Sequence, residues 1–245
     1  MIDILSMAVQ RGGDIGRYFT VSYTTAYFLC IAAFVFSMIC SFGVNSTFKK
    51  YSKYQSRRGR TAAEVARQIL DDNGLGHISV TRVAGNLTDH YDPRTQVVAL
   101  SDSVHDSTSL AAIGVAAHEC GHAVQHAKSY IPIKIRSLLV PIANIGSKTY
   151  IYVFLLGIIF SFDPLVNIGI GLFAFYALFQ LVTLPVEFNA SSRAMRTLRD
   201  NMILDSDELS GARKTLTAAA MTYVAGLIVS LTQLLRLISM VRRRR

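Results

Sequence analysis

Long apolar stretches alternate with polar segments along this chain. Residues 18–48 carry no charged side chain, and a helix of about 20 apolar residues can cross the ~30 Å hydrocarbon core of a bilayer. A second apolar block has two arms, 142–162 and 165–184, which an Asp-Pro pair joins. A last apolar run covers residues 216–235. This pattern predicts four hydrophobic helices, of which the middle two form a transmembrane hairpin.

The basic residues beside these stretches predict the orientation of the chain. A basic segment follows the first stretch and no A-x-A site does, so we expect an uncleaved anchor with a cytoplasmic C-terminal side rather than a cleaved export signal. The segment contains Lys49, Lys50, Lys53, Arg57, Arg58 and Arg60. A fourth crossing would leave Arg236 and Arg242–Arg245 outside, against the positive-inside tendency. The last helix therefore either crosses against that tendency or packs obliquely on the cytoplasmic side.

The polar sequence after the first apolar stretch has the composition of a soluble domain. A capping box at residues 61–64, with the sequence T-A-A-E, predicts the start of a helix. Two β-rich runs follow, at 78–83 and 96–100. The second run is either an edge strand that could pair with an extended peptide or an internal hairpin strand. A serine- and threonine-rich cap then predicts a helix from Leu110 to about Ala127.

Composition supports a membrane protein and argues against nucleic-acid binding. Of the 245 residues, 51% are hydrophobic and only 17% are charged, which is too apolar for an ordinary soluble domain. The net charge of +9 comes from basic residues beside the apolar stretches and at the C-terminus, without interleaved aromatic residues. We therefore expect contact with the lipid bilayer and no nucleic-acid partner. Cys30, Cys40 and Cys120 suggest no disulfide framework.

Candidate chemistry is concentrated in the sequence H-E-C-G-H, which runs from His118 to His122 on the predicted helix. Two histidines four residues apart share one helix face, so both imidazoles can reach one zinc ion. Glu119 lies beside them, where it can act as the general base for an attacking water. A helix whose histidines only pack is the alternative, but burying two histidines and a glutamate among small apolar residues is costly. The motif therefore predicts a zinc hydrolase.

The third zinc ligand is less obvious from the sequence. His126 repeats the spacing, but it lies about 12 Å from His118 along a continuous helix, too far to share an ion. Of the four glutamates, one is the base, one belongs to the capping box and one begins an acidic helix. Glu187 remains, directly after a predicted spanning helix. The alternative for Glu187 is an interfacial carboxylate that pairs with Arg193 or Arg196.

Three longer strings, at 87–95, 112–119 and 184–191, carry a resemblance to a known family. With the H-E-x-x-H motif and the hairpin between the last two, the chain resembles the YugP-like membrane zinc peptidases of bacteria over nearly its whole length. More distantly, it is similar to HtpX-type and CaaX-prenyl endopeptidases, in which the glutamate of an E-[F/Y]-x-A-D string is the third ligand. The resemblance implies one zinc ion per chain, Glu187 as the third ligand and a bacterial cell membrane location.

One position departs from the pattern of those distant relatives. Ser191 stands where they have an aspartate that is expected to orient a zinc-binding histidine. A serine hydroxyl can accept the same imidazole hydrogen bond, but it brings no charge.

The sequence does not decide which residue stabilises the oxyanion. The chemically able residues are His90, Tyr91, His105, His126 and Arg193. We prefer His90 and Tyr91, because they precede a strand that could form a cleft wall, although a polar loop that satisfies its own backbone is the alternative.

Together these features predict a mainly α, multi-pass membrane protein with a gluzincin-like zinc peptidase core and a small β element. We expect an anchor (1–48), a first part of a cytoplasm-facing catalytic domain (49–141), an inserted hairpin (142–186), a second part (187–214) and a C-terminal hydrophobic helix with a basic tail (215–245). The expected function is a zinc endopeptidase acting on membrane-associated proteins. Two alternatives stay open: a non-catalytic zinc-binding membrane scaffold, and a membrane zinc hydrolase of non-peptide amides or esters.

Overall fold

The computed structural model describes residues 21–244, with the side chain of the last of these not included. The first part of the predicted anchor, 1–20, and the final arginine of the basic tail lie outside the described residues. The described helices are α1 (Tyr23–Tyr51), α2 (Ala62–Asp72), α3 (Leu110–Ala127), α4 (Ile131–Ile159), α5 (Asp163–Asp200) and α6 (Leu209–Arg244). The described strands are β1 (Ser79–Val83), β2 (His90–Asp92) and β3 (Val97–Ser101). The chain is therefore mainly helical with one small sheet.

Four of the described helices, α1, α4, α5 and α6, are long and apolar enough to cross a membrane. They expose large apolar side chains such as Phe42, Leu138 and Ile159, as expected for surfaces that face lipid. The hairpin helices α4 and α5 pack through glycines. A Cβ atom on Gly157 would lie 2.6 Å from the backbone nitrogen of Val166, so only a glycine permits this approach.

Helix α6 runs antiparallel to α1 along the bundle. At one end the Ser239 hydroxyl donates to the Val21 carbonyl at 3.2 Å, and at the other end Gly211 lies against the Tyr51 ring. Helix α6 therefore runs alongside α1 along the bundle. Its arginine-rich end lies at the end of the bundle remote from α3.

The sheet has the strand order β1-β3-β2. Strand β3 is parallel to β1 and antiparallel to β2, so it is the central strand and the edge-strand interpretation of residues 96–100 is wrong. Val98 and Leu100 of β3 are fully buried, in a core shared with α2 and α3. Side chains buried on consecutive positions show that both faces of this strand are covered. The strand next to the predicted site is β2.

The capping box that begins α2 is confirmed. The Thr61 hydroxyl accepts a hydrogen bond from the Glu64 amide at 3.2 Å, and the Glu64 carboxylate accepts one from the Thr61 amide at 2.8 Å. Helix α2 then packs its apolar face, with Val65 and Ile69, against α3. This contact buries the outer side of α3 and leaves its opposite side free to meet α5.

Candidate metal centre

The close packing of α3 against α5 brings the candidate ligands together. Helix α3 consists largely of small residues, and at Gly121 its backbone approaches α5 so closely that a Cβ atom would lie 2.8 Å from the Ala190 carbonyl oxygen. Glu187 precedes Ala190 by about one helical turn, so its side chain points along the same face of α5. His118 and His122, separated by one turn of α3, face it.

The ligand atoms of the three side chains all lie within 4.8 Å of one another, and two of their separations match a zinc site. His118 Nε2 lies 3.3 Å from Glu187 Oε2, and His122 Nε2 lies 3.5 Å from the same oxygen. Ligand atoms of a tetrahedral zinc site with bonds of about 2.1 Å are about 3.4 Å apart. Glu187 is only 2% exposed, and a buried carboxylate is costly without a cation or donors beside it. The residues present therefore fit a zinc ion.

The second nitrogen of each imidazole is held by a neutral side chain. The Ser191 hydroxyl lies 3.1 Å from His118 Nδ1, so Ser191 occupies the position of the imidazole partner that the resemblance implies. Gln125 Oε1 lies 3.0 Å from His122 Nδ1. Because Gln125 donates through its nitrogen to the Val186 carbonyl at 2.8 Å, its oxygen must accept. His122 therefore carries its proton on Nδ1, and the lone pair of its Nε2 faces Glu187.

Comparison with known proteins agrees with this geometry. Residues 26–242 match the model of a family described as "putative neutral zinc metallopeptidase". The chain belongs to this zinc metallopeptidase family. A protein of Bacillus subtilis (strain 168) named "putative membrane protease YugP" is 47% identical over 211 residues, which cover 86% of this chain and 94% of the relative. No solved structure matches the chain significantly. The resemblance predicted from the sequence is confirmed, and the chain is a membrane protein of a zinc peptidase family.

A buried amide network in this zinc metallopeptidase was not predicted from the sequence. Gln125 is fully buried and, besides its contacts to His122 and Val186, donates to Asn189 Oδ1 at 3.0 Å. Arg193 donates to the same Asn189 oxygen at 2.8 Å. The network ties the metal-facing side of α3 to α5. The sequence signals this network only through Gln125, which follows His122 by three positions, so that the two side chains share one face of the helix.

A cavity of about 570 Å³ opens beside the candidate ligands of the metallopeptidase. Glu119 is 9% exposed and lines this cavity together with the ligand side chains. His90 and Tyr91, for which the sequence suggested a cleft wall, line this cavity together with His126. The His126 ring packs against the Tyr91 ring at 5.6 Å, and burial lowers the pKa of His126 while it raises the pKa of Tyr91. His126 belongs to this wall and not to the three-residue cluster.

Two of the candidates for oxyanion stabilisation lie elsewhere. His105 hydrogen-bonds Asp106 through Nδ1 at 2.5 Å and borders a different surface depression. Arg193 is held by Asn189, and its guanidinium lies 6.0 Å from the centre of the Tyr130 ring. Neither side chain lines the cavity beside Glu119.

Sequence reasoning missed two residues that the fold of the metallopeptidase brings to the site. Arg136 of α4 places a guanidinium nitrogen 3.5 Å from Glu187 Oε1, the carboxylate oxygen that does not face the histidines. Tyr223 of α6 lines the main cavity and a second, more apolar cavity of about 190 Å³ on the other side of Glu119. An arginine close to the start of a spanning helix is a recognisable signal. Tyr223 carries no such signal, because it lies within a long apolar helix.

Proposed function

We propose that this metallopeptidase is a membrane-embedded zinc endopeptidase with a gluzincin-like core, in which the α4–α5 hairpin is inserted between the H-E-x-x-H helix and the third ligand. In this proposal His118, His122 and Glu187 hold one zinc ion per chain and Glu119 is the general base. The observation that carries the proposal is the 3.3 Å and 3.5 Å separation of the ligand atoms, with Glu119 on the wall of the same cavity.

The side chains around the cavity support a hydrolytic mechanism. Zinc, when bound, lowers the pKa of a coordinated water to about 7 and polarises the scissile carbonyl. The Glu119 carboxylate takes the proton of the attacking water and delivers it to the leaving amine. Tyr223 offers a hydroxyl donor toward the same cavity, and we propose it as the residue that stabilises the oxyanion. Arg136 holds the outer oxygen of Glu187, so that the other oxygen faces the histidines.

The walls of the cavity support extended, membrane-associated substrates. One wall is β2, whose pairing in the described sheet is with β3 alone, so that its outer edge can pair with an extended peptide. The opposite wall comes from the first turns of α4, including Ile133, Ser137 and Val140. Because α4 is a candidate spanning helix, a polypeptide that leaves the bilayer would meet the cavity directly.

We further propose that the cavity faces the cytoplasm of a bacterial cell. The basic segment at the end of α1, beginning with Lys49 and Lys50, supports this orientation. Glu119 argues against a non-catalytic scaffold, because metal binding alone does not need a carboxylate beside the ligands. A hydrolase of non-peptide amides or esters would use the same metal ligands and general base. The substrate test therefore has to distinguish such a hydrolase from an endopeptidase.

The test compares one peptide segment in two contexts. The wild-type protein is reconstituted into vesicles with a reporter that carries the segment either on a membrane anchor or in soluble form. We expect faster cleavage of the anchored reporter and no cleavage by Glu119→Gln, which should keep its zinc. Faster cleavage of the soluble reporter would contradict the substrate proposal. Hydrolysis of small esters or amides without cleavage of either reporter would contradict the endopeptidase itself.

A further inference from the structure

A further cavity, of about 490 Å³, lies inside the hydrophobic bundle between α1, α4, α5 and α6, away from the metal centre. Arg236 of α6 lines it and follows Tyr223 by 13 residues, which is about 20 Å along a helix. The cavity is therefore separate from the catalytic site and lies toward the opposite end of the bundle.

The lining of this cavity combines aromatic rings with hydrogen-bonding groups. Its polar side chains include Ser37, Tyr150, Tyr176, Ser230, Gln233 and Arg236. Polar groups are rare at lipid depth and are retained there when they bind something. Helix α1 packs on α6, and α6 on α5, but α1 makes no extensive contact with α4. The cavity thus has a lateral border toward the lipid between α1 and α4.

The guanidinium of Arg236 has no anionic partner among residues 21–244. Its Nε atom is buried without a hydrogen-bond partner, and none of the described ion pairs includes it. The four long helices carry carboxylates only at Asp163, Glu187 and Asp200. The first lies at the hairpin turn, the second in the metal centre and the third at the catalytic end. The described residues therefore leave a partly buried guanidinium, with a buried Nε atom, that a bound anion would satisfy.

The position of Arg236 indicates which anion can reach it. Arg236 precedes Arg242 by six residues, which is about 9 Å along the helix. Arg243 lies over the Tyr23 ring, 5.6 Å from its centre, an arrangement typical of the membrane interface. Arg236 is therefore close to the headgroup layer, within reach of a lipid phosphate group.

We propose that this cavity binds the headgroup of an anionic phospholipid from the leaflet opposite α3. The lipid phosphate lies against the Arg236 guanidinium, where charge-assisted hydrogen bonds satisfy the buried Nε atom. Gln233 and Tyr150 line the cavity beside the headgroup, and the acyl chains leave between α1 and α4. The volume of about 490 Å³ is large enough for a headgroup with the start of its chains.

Native mass spectrometry of the full chain, transferred from nanodiscs that contain phosphatidylglycerol and phosphatidylcholine, tests this proposal. We expect the wild type to retain phosphatidylglycerol about tenfold more than phosphatidylcholine, because both phosphates can meet Arg236 but the quaternary ammonium of phosphatidylcholine would lie beside this cation. Arg236→Gln should lose this preference, whereas Arg236→Lys should keep part of it. The matched control is Arg243→Gln, which removes an exposed arginine near the same end and should keep the preference.

Thermal unfolding in detergent provides a second readout. Phosphatidylglycerol should raise the melting temperature of the wild type but not of Arg236→Gln, and inorganic phosphate should raise neither. An unchanged lipid preference in Arg236→Gln, or an equal loss in Arg243→Gln, would overturn the proposal. Stabilisation by inorganic phosphate that depends on Arg236 would also overturn it, because the site would then take a free anion.

Discussion

The contact between α3 and α5 at Gly121 determines how close the two histidines come to Glu187. We predict that Gly121→Ala weakens zinc binding. A Cβ atom there would lie 2.8 Å from the Ala190 carbonyl oxygen and 3.3 Å from its carbonyl carbon. Unstrained carbon contacts are about 3.5–4.0 Å, so the two helices must separate by several tenths of an ångström.

Two opposing effects decide the change in stability. Alanine favours a helix over glycine by about 1 kcal/mol, and overpacking costs about 1–3 kcal/mol. The net loss of stability is therefore about 0–2 kcal/mol, which a folded domain tolerates. Metal binding is more sensitive, because zinc–ligand distances hold within about 0.2 Å and the same separation moves Glu187 away from His118 and His122. We expect zinc affinity to fall about 10- to 100-fold, the range seen when ligands lose their support.

The assay is competition for zinc with a chromophoric chelator, together with thermal unfolding of the same sample. Gly171→Ala is the matched control, because it makes the same change in α5 at a position where a Cβ atom meets nothing within 4 Å. The control should keep the zinc affinity of the wild type. If folded Gly121→Ala binds zinc within about twofold of the wild type, a difference of only ~0.4 kcal/mol, then the helix contact does not position the ligands.

Three further predictions follow from named contacts. Gln125→Leu leaves His122 Nδ1 without its acceptor, so zinc affinity by chelator competition should fall about 10- to 100-fold; an unchanged affinity would refute the role of the amide. Tyr223→Phe should lower kcat by roughly 10²–10³ with little change in KM, and a change in KM alone in steady-state kinetics would contradict oxyanion stabilisation. Hydrogen bonds from Thr61 lower the pKa of Glu64 below 4.5, so its stabilisation is present above that pH and is lost as the pH falls through the lowered pKa. Wild type should therefore be more stable than Glu64→Gln at neutral pH, and denaturant unfolding should show the difference disappear in acid.

Local patterns in the sequence were sufficient to single out the three side chains that the fold brings together, His118, His122 and Glu187. The H-E-x-x-H spacing places two imidazoles on one helix face wherever that helix lies in the fold. Glu187 was predicted by elimination among four glutamates, and the even number of crossings in the hairpin returns it to the side of α3. The structure brings its carboxylate within 3.3 Å of His118.

Long-range packing decided what the sequence did not predict. Tyr223 lies about 100 residues after His122, and only the packing of α6 against the rest of the bundle brings it to the cavity. The edge-strand interpretation of residues 96–100 was wrong because β1 pairs with one edge of this strand and β2 with the other. The sequence carried one signal, since the continuous apolar run at 97–100 is typical of a strand that is covered on both faces. The structure buries four consecutive residues of this strand.

The proposed roles of Glu119 and Glu187 are tested by measuring zinc content and peptide cleavage together on detergent-purified wild type, Glu119→Gln and Glu187→Ala. We expect one zinc per chain in wild type and Glu119→Gln, weakened zinc binding in Glu187→Ala, and cleavage by the wild type alone. Full zinc occupancy in Glu187→Ala would mean that the third ligand is a different residue. Cleavage by zinc-loaded Glu119→Gln at the wild-type rate would contradict the assignment of the general base.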